Sequence, residues 1–214
     1  MKGVFLVLFT AVTAVHLCAS ARRNTKLRNA TKPFILLSLL GFYCFAARDL
    51  SAVVILALLF SWLGDVLLIP KGTKWFAAGG VAFMVSHAFF IAAYREGLVF
   101  AALPPALVLL PILFFTSAAA LLFAGLKPYL PGELLWPILL YLLINGAMNC
   151  FAVFRCVSLG TLAGFSTAAG AALFFLSDSL LFFIRFKKSG RLRTHFPVML
   201  CYSLGELLIV WGLL

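Results

Sequence analysis

Two aspartates stand inside otherwise apolar segments of this 214-residue chain, Asp65 in LLFSWLGDVLLIP and Asp178 in GAALFFLSDSLLFF. A carboxylate within an apolar run of bilayer length costs roughly 2.5–3.5 kcal/mol on insertion scales, so it normally faces a bundle interior or a water-filled cavity. Two of them in matching surroundings need a reason. Aligned on the aspartates, Leu67 falls on Leu180 and Leu68 on Leu181, a pattern that could be the trace of a duplicated unit. If both carboxyls face one chamber, like charges at close range in a low dielectric cannot both ionise. One then holds a proton while the other is charged, which is the apparatus for acid–base hydrolysis.

Further polar residues fall near the same depth when residues are counted from the nearest basic loop at about 1.5 Å each. Asp65 lies about 7 Å in and Asp178 about 10 Å in, with Tyr141 and Tyr202 also about 10 Å in. Ser61 and Ser177 add hydroxyls, and Lys32 caps the mouth of the second span. Asn145 and Glu206 sit nearer the midplane, with Asn149 and His87 beyond them. Together these residues describe a polar cavity open at one end of a bundle. The alternative is that each aspartate only hydrogen-bonds a neighbouring helix. Glu206 reads either as a protonated carboxyl paired with His87 or Asn149, or as a proton relay, and His87 is expected to hydrogen-bond Asn145 or Glu206.

No cofactor or metal is called for. His16, His87 and His195 lie about 9, 20 and 0 Å from one membrane edge, too far apart for a tetrahedral zinc site. The five cysteines, Cys18, Cys44, Cys150, Cys156 and Cys201, show no ligand spacing and imply no disulfide. The chain has no G-x-S-x-G elbow, P-loop or H-E-x-x-H, so serine-hydrolase, nucleotide-driven and zinc-protease readings lose their support.

The elements that must position these groups are membrane spans. Hydrophobic residues make up 64% of the chain and mean hydropathy is +1.14, well beyond soluble domains, which are about half apolar. Apolar runs of about twenty residues predict eight helices, at 3–20, 33–48, 50–69, 75–94, 103–124, 134–153, 162–184 and 196–213. The fold class is therefore all-α, a polytopic membrane protein forming a single helical domain over 1–214. Pro33, Pro70, Pro128 and Pro131 are expected at span ends, while Pro104, Pro105, Pro111 and Pro137 predict kinked or late-starting fifth and sixth helices. Gly160, Gly164 and Gly170 give the seventh a small-residue face for close packing.

A formal net charge of +11 does not imply nucleic acid, because the cations gather between spans. Loops after spans 1, 3, 5 and 7 hold Arg22, Arg23, Lys26, Arg28, Lys32, Lys71, Lys74, Lys127, Arg185, Lys187, Lys188, Arg191 and Arg193. The other loops hold only Arg48, Arg95 and Arg155. The positive-inside rule puts the first set in the cytoplasm and both termini outside, with the polar cavity facing the cytoplasmic leaflet. The basic loops could also grip anionic lipid. The first span resembles a signal peptide ending near Ala19-Ser20-Ala21, but the Arg22-Arg23 that follows would translocate poorly, so it is expected to stay as a helix.

In order, spacing and placement, several motifs resemble the YhhN-like lysoplasmalogenase family. They are Lys32-Pro33; Ser61-x-x-Gly64-Asp65-x-x-Leu68; Phe76-x-x-x-Gly80-x-x-Phe83-x-x-x-His87; Asn145-x-x-Met148; Gly170-Ala171-x-x-Phe174-x-x-Ser177-Asp178-x-x-Leu181; and Tyr202. Glu206 departs from the pattern, which leads one to expect glutamine four residues after the tyrosine. The resemblance implies an integral membrane hydrolase that cleaves the vinyl ether bond of lysoplasmalogens to a fatty aldehyde and a glycerophospho-base. Its partners would be the lysophospholipid substrate and membrane lipids. Under that implication Asp65 and Asp178 are the acid–base pair, and Lys32, Ser61, His87, Tyr141, Asn145, Ser177, Tyr202 and Glu206 surround the substrate. The competing readings are a proton-coupled or lipid-moving transporter, in which the aspartates carry protons or bind a head group, and a structural membrane subunit.

Overall fold

The structure, a computed structural model, describes residues 1–96, 98–100, 103–187 and 194–214; Lys188, Arg191 and Arg193 of the basic loop after span 7 lie outside them. The described residues form eight long helices and no strand: α1 (Lys2–Ala21), α2 (Thr25–Ala46), α3 (Ala52–Leu67), α4 (Thr73–Arg95), α5 (Pro105–Leu126), α6 (Leu135–Leu159), α7 (Leu162–Phe182) and α8 (Phe196–Gly212). Short 3₁₀ turns at Lys127–Tyr129 and Gly132–Leu134 join α5 to α6, and a π-helical turn, Phe183–Lys187, prolongs α7. Six helices are long and apolar enough to cross a membrane, while α3 and α8 are shorter apolar helices. The expected helical membrane bundle is what the chain forms.

Helix ends follow local chemistry. The Asn24 side chain accepts the Leu27 N–H at 3.1 Å and caps α2. Gly160, at φ 58°, closes α6 in the left-handed conformation that suits a residue without a Cβ. The helix α3 ends at Leu67, just before Ile69-Pro70, because a residue preceding proline disfavours the α region.

Two boundaries correct the sequence reading. The α2 helix starts at Thr25, well before the apolar run, so Lys32 and Pro33 lie inside it rather than at its opening. Hydropathy marks where a helix enters the apolar layer; Lys, Arg and Leu form helix equally well outside it. Pro33 leaves one carbonyl of the preceding turn without its usual donor, and its own carbonyl accepts the Trp62 indole N–H at 3.0 Å, tying α2 to α3. The third element also loses four residues of its expected span, which leaves Asp65 only two residues from the helix end.

Consecutive helices pack against each other except α4 and α5, and α6 packs against α4, α5 and α7. The closest approach joins α7 and α8. A Cβ on Gly205 would lie 2.9 Å from the Gly170 carbonyl, and one on Gly170 would lie 2.6 Å from the Gly205 carbonyl. Backbone meets backbone there, as small-residue packing in membranes requires. Replacing Gly205 with valine is expected to force the two helices apart at a cost of about 1–3 kcal/mol, measurable as a lower melting temperature in detergent. An unchanged melting temperature would show that the contact is soft.

Candidate active site

At the end of the bundle where the basic segments meet, α1, α2, α3, α4, α7 and α8 enclose a cavity of about 400 Å³ whose wall carries Asp65, Asp178, Lys32, Ser177 and Tyr202. Both aspartates are buried, at 3% and 7% exposure, yet they reach this one space from α3 and α7.

Each carboxylate has its own partners. Asp65 Oδ1 lies 3.1 Å from Lys32 Nζ, the ion pair that links α3 to α2. Its Oδ2 has no hydrogen bond among the described residues; the Tyr202 hydroxyl faces the carboxyl without meeting hydrogen-bond geometry. Asp178 has no such cation among the described residues. Its Oδ2 accepts the Tyr141 hydroxyl at 2.5 Å and the Asn145 side-chain N–H at 2.8 Å. Asn145 is held in turn by Asn149, whose side chain donates to the Asn145 Oδ1 at 3.1 Å and carbonyl at 3.0 Å. Tyr141, Asn145 and Asn149 follow one another at four-residue intervals on α6, so they form a polar stripe along one face. That stripe orients Asp178. Ser177 donates to the Val198 carbonyl at 3.0 Å, fixing α7 to α8 beside the aspartate.

Five of the expected site residues are not on the cavity wall: Tyr141 and Asn145 stand behind Asp178 and bear on the cavity through it, while Ser61, His87 and Glu206 make no hydrogen bond to either aspartate. Ser61 is fully buried and shares a 2.7 Å hydrogen bond with Ser86, which donates to the Ala57 carbonyl at 2.8 Å. Its role is to join α3 to α4. His87 packs edge-on against Tyr141 and Phe174, with ring centroids 5.4 and 5.0 Å away, and neither ring nitrogen has a partner among the described residues. The expected bond to Asn145 does not form because that side chain is taken by Asp178 and Asn149. Glu206, one turn deeper on α8 than Tyr202, is fully buried. It pairs with neither His87 nor Asn149, and both carboxyl oxygens lack a hydrogen bond among the described residues; the Ser61 hydroxyl faces it outside hydrogen-bond geometry.

The cavity also recruits three cations read from the sequence as topology signals and two histidines weighed there only as metal ligands. His16, Arg28, Lys71, Arg185 and His195 line it. His16 Nδ1 meets Thr31 Oγ1 at 2.9 Å, and the Arg185 guanidinium lies 5.1 Å from the Phe76 ring centroid. Burial pushes the His195 imidazole down to about 4, with the Arg28, Lys32 and Arg185 cations adding to the effect. It is therefore neutral near pH 7, and the positive charge of the rim comes from Arg28, Lys71 and Arg185. The available clue was spacing: α2 continues below the apolar run, so Arg28 and Lys32 share a helix face four residues apart.

This arrangement offers two carboxylates with different partners, phenol and amide donors beside one of them, and a cationic rim suited to a phosphate. Among curated proteins and among solved structures, none matches the chain. The family model described as the YhhN family matches residues 27–213, from the second helix through the eighth. That match covers every residue of the aspartate constellation, and the chain belongs to the YhhN family.

Proposed function

We propose that this chain is a membrane-embedded hydrolase of the vinyl ether bond of lysoplasmalogens. One observation carries the reading: two buried carboxylates from different helices face the same cavity, one paired with a lysine and the other held by neutral donors. Vinyl ether cleavage needs this asymmetry. A proton must be delivered to the β-carbon of the double bond, leaving an oxocarbenium ion that water then captures. Paired carboxylates perform the corresponding steps on glycosides.

The partners assign the roles. Asp178, held by the neutral donors Tyr141 and Asn145, donates the proton to carbon. Asp65, paired with Lys32, takes a proton from the attacking water as the C–O bond forms. The resulting hemiacetal collapses as its hydroxyl proton passes to the ether oxygen, releasing a fatty aldehyde and a glycerophospho-base. Proton return from Asp65 to Asp178 through the cavity restores the starting state, so the net reactant is one water. Tyr141 and Asn145 position Asp178, and Tyr202 stands where it can orient the water or the ether oxygen. Arg28, Lys71 and Arg185 suit the head-group phosphate, while Lys32 is engaged with Asp65. The positive-inside rule puts the cavity on the cytoplasmic leaflet with both termini outside.

Purified protein in detergent is expected to release aldehyde from a lysoplasmalogen and to leave the corresponding 1-acyl lysolipid intact, measured by mass spectrometry of products. A transporter in detergent makes no product. Absence of aldehyde across a panel of vinyl ether head groups would remove the hydrolase reading.

A further inference from the structure

Asp178 stands in the wall between two spaces. One is the polar cavity; the other is a smaller pocket of about 120 Å³ between α4 and α6, lined almost wholly by apolar side chains. Leu68, Phe76, Phe83 and Leu181 border both spaces along with Asp178. Val81, 53% exposed, marks the outer lip of the smaller pocket on the lipid-facing side of α4, while Ile138 and Tyr141 of α6 form its buried back wall.

We propose that this crevice between α4 and α6 is the subsite for the single hydrocarbon chain of the substrate, reached sideways from the membrane, with Gly80 as its threshold. The inference rests on the hydrolase reading for its turnover measurement and on geometry alone for its location. An amphiphile with one chain and one phosphate-bearing head has two unlike ends, and the protein presents two unlike spaces meeting at one carboxylate. The rim of Arg28, Lys71 and Arg185 matches the head. The apolar crevice matches the chain, whose polar end then lies against Asp178. Chain and head would thus be held on opposite sides of the atom to be protonated. Gly80 lines the crevice, and a Cβ built on it meets nothing within 4 Å. In contrast to Gly64, whose Cβ would meet the Phe83 ring at 2.6 Å, a larger side chain at position 80 enters open space and leaves the bundle intact.

Gly80→Leu is the direct test. It is expected to lower hydrolysis of a sixteen-carbon vinyl ether lysolipid about tenfold or more while leaving a four-carbon analogue within about twofold, because each excluded methylene forfeits its own burial. Equal loss for both chain lengths in a protein of unchanged melting temperature, or no loss for either, would overturn the assignment. Location is read separately, without turnover, by labelling with a lysophosphatidylcholine that carries a diazirine at the end of its chain. Adducts on the α4 segment around Gly80 and the α6 segment around Ile138, lost in Gly80→Leu, support the subsite. Adducts confined to other helices refute it. A protein that labels at these positions but releases no aldehyde would refute the hydrolase reading and leave the chain subsite standing.

Discussion

Asp178→Asn is expected to lower vinyl ether hydrolysis by roughly 10²–10⁴-fold, the range that a positioned general acid contributes, while the protein keeps its melting temperature. The asparagine oxygen can still accept from the Tyr141 hydroxyl and the Asn145 amide, which hold Asp178 at 2.5 and 2.8 Å, so the local structure survives. What is lost is the transferable proton. Because Asp178 is also the meeting point of the polar cavity and the apolar crevice, substrate affinity should change less than turnover. The measurement is aldehyde release at saturating substrate, alongside thermal unfolding of the same preparation. A variant that keeps most of its rate would take Asp178 out of the chemistry.

The second large effect concerns the ion pair between α2 and α3. Lys32→Met leaves the Asp65 carboxylate buried without its cation, and breaking a buried pair by removing one partner costs about 3–5 kcal/mol. The expected result is a pronounced fall in melting temperature together with loss of turnover. Removing both charges separates the two consequences. Lys32→Met with Asp65→Leu replaces the pair by apolar groups of similar size, which is often neutral or stabilising, so the double variant should regain stability but not activity. If the double variant recovers activity as well, Asp65 is not the base. If Lys32→Met alone is as stable as the parent, the 3.1 Å contact contributes little and Asp65 is stabilised by other means.

How much of this could be read from residues in order varies with the kind of interaction. Helix number, class and the choice of Asp65 and Asp178 follow from local quantities: the length of apolar runs, and the cost of a carboxylate within them. Family membership also follows from order and spacing. Helix ends were less legible where the backbone continued past the apolar run, as at Thr25, because hydropathy reports the membrane and not the hydrogen-bonded ladder. Depth counting put Tyr141, Tyr202 and the aspartates in one layer, and all four meet there. It could not say which partner each takes, since depth is one coordinate and a hydrogen bond needs three.

His87, Ser61 and Glu206 show that limit most clearly. Each was a sound candidate by residue type and lies on a helix that contributes to the site, but each stands one helical turn deeper than a residue of the cavity wall: Ser61 below Asp65, His87 below Phe83 and Glu206 below Tyr202. A helical residue four positions on keeps nearly the same face and lies about 6 Å further along the axis, and how deep the open space reaches is decided by packing between helices, such as the His87 ring against Tyr141 and Phe174, rather than by hydropathy. The converse holds for Arg28, Arg185 and His195, which are far apart in sequence and come together only because α2, α7 and α8 end at the same level. The chain's own order of residues therefore determined that it is a helical membrane bundle with two carboxylates that need a purpose. Only the tertiary structure decided that Asp65 pairs with a lysine while Asp178 rests on neutral donors, because those partners belong to helices brought side by side by packing across the bundle.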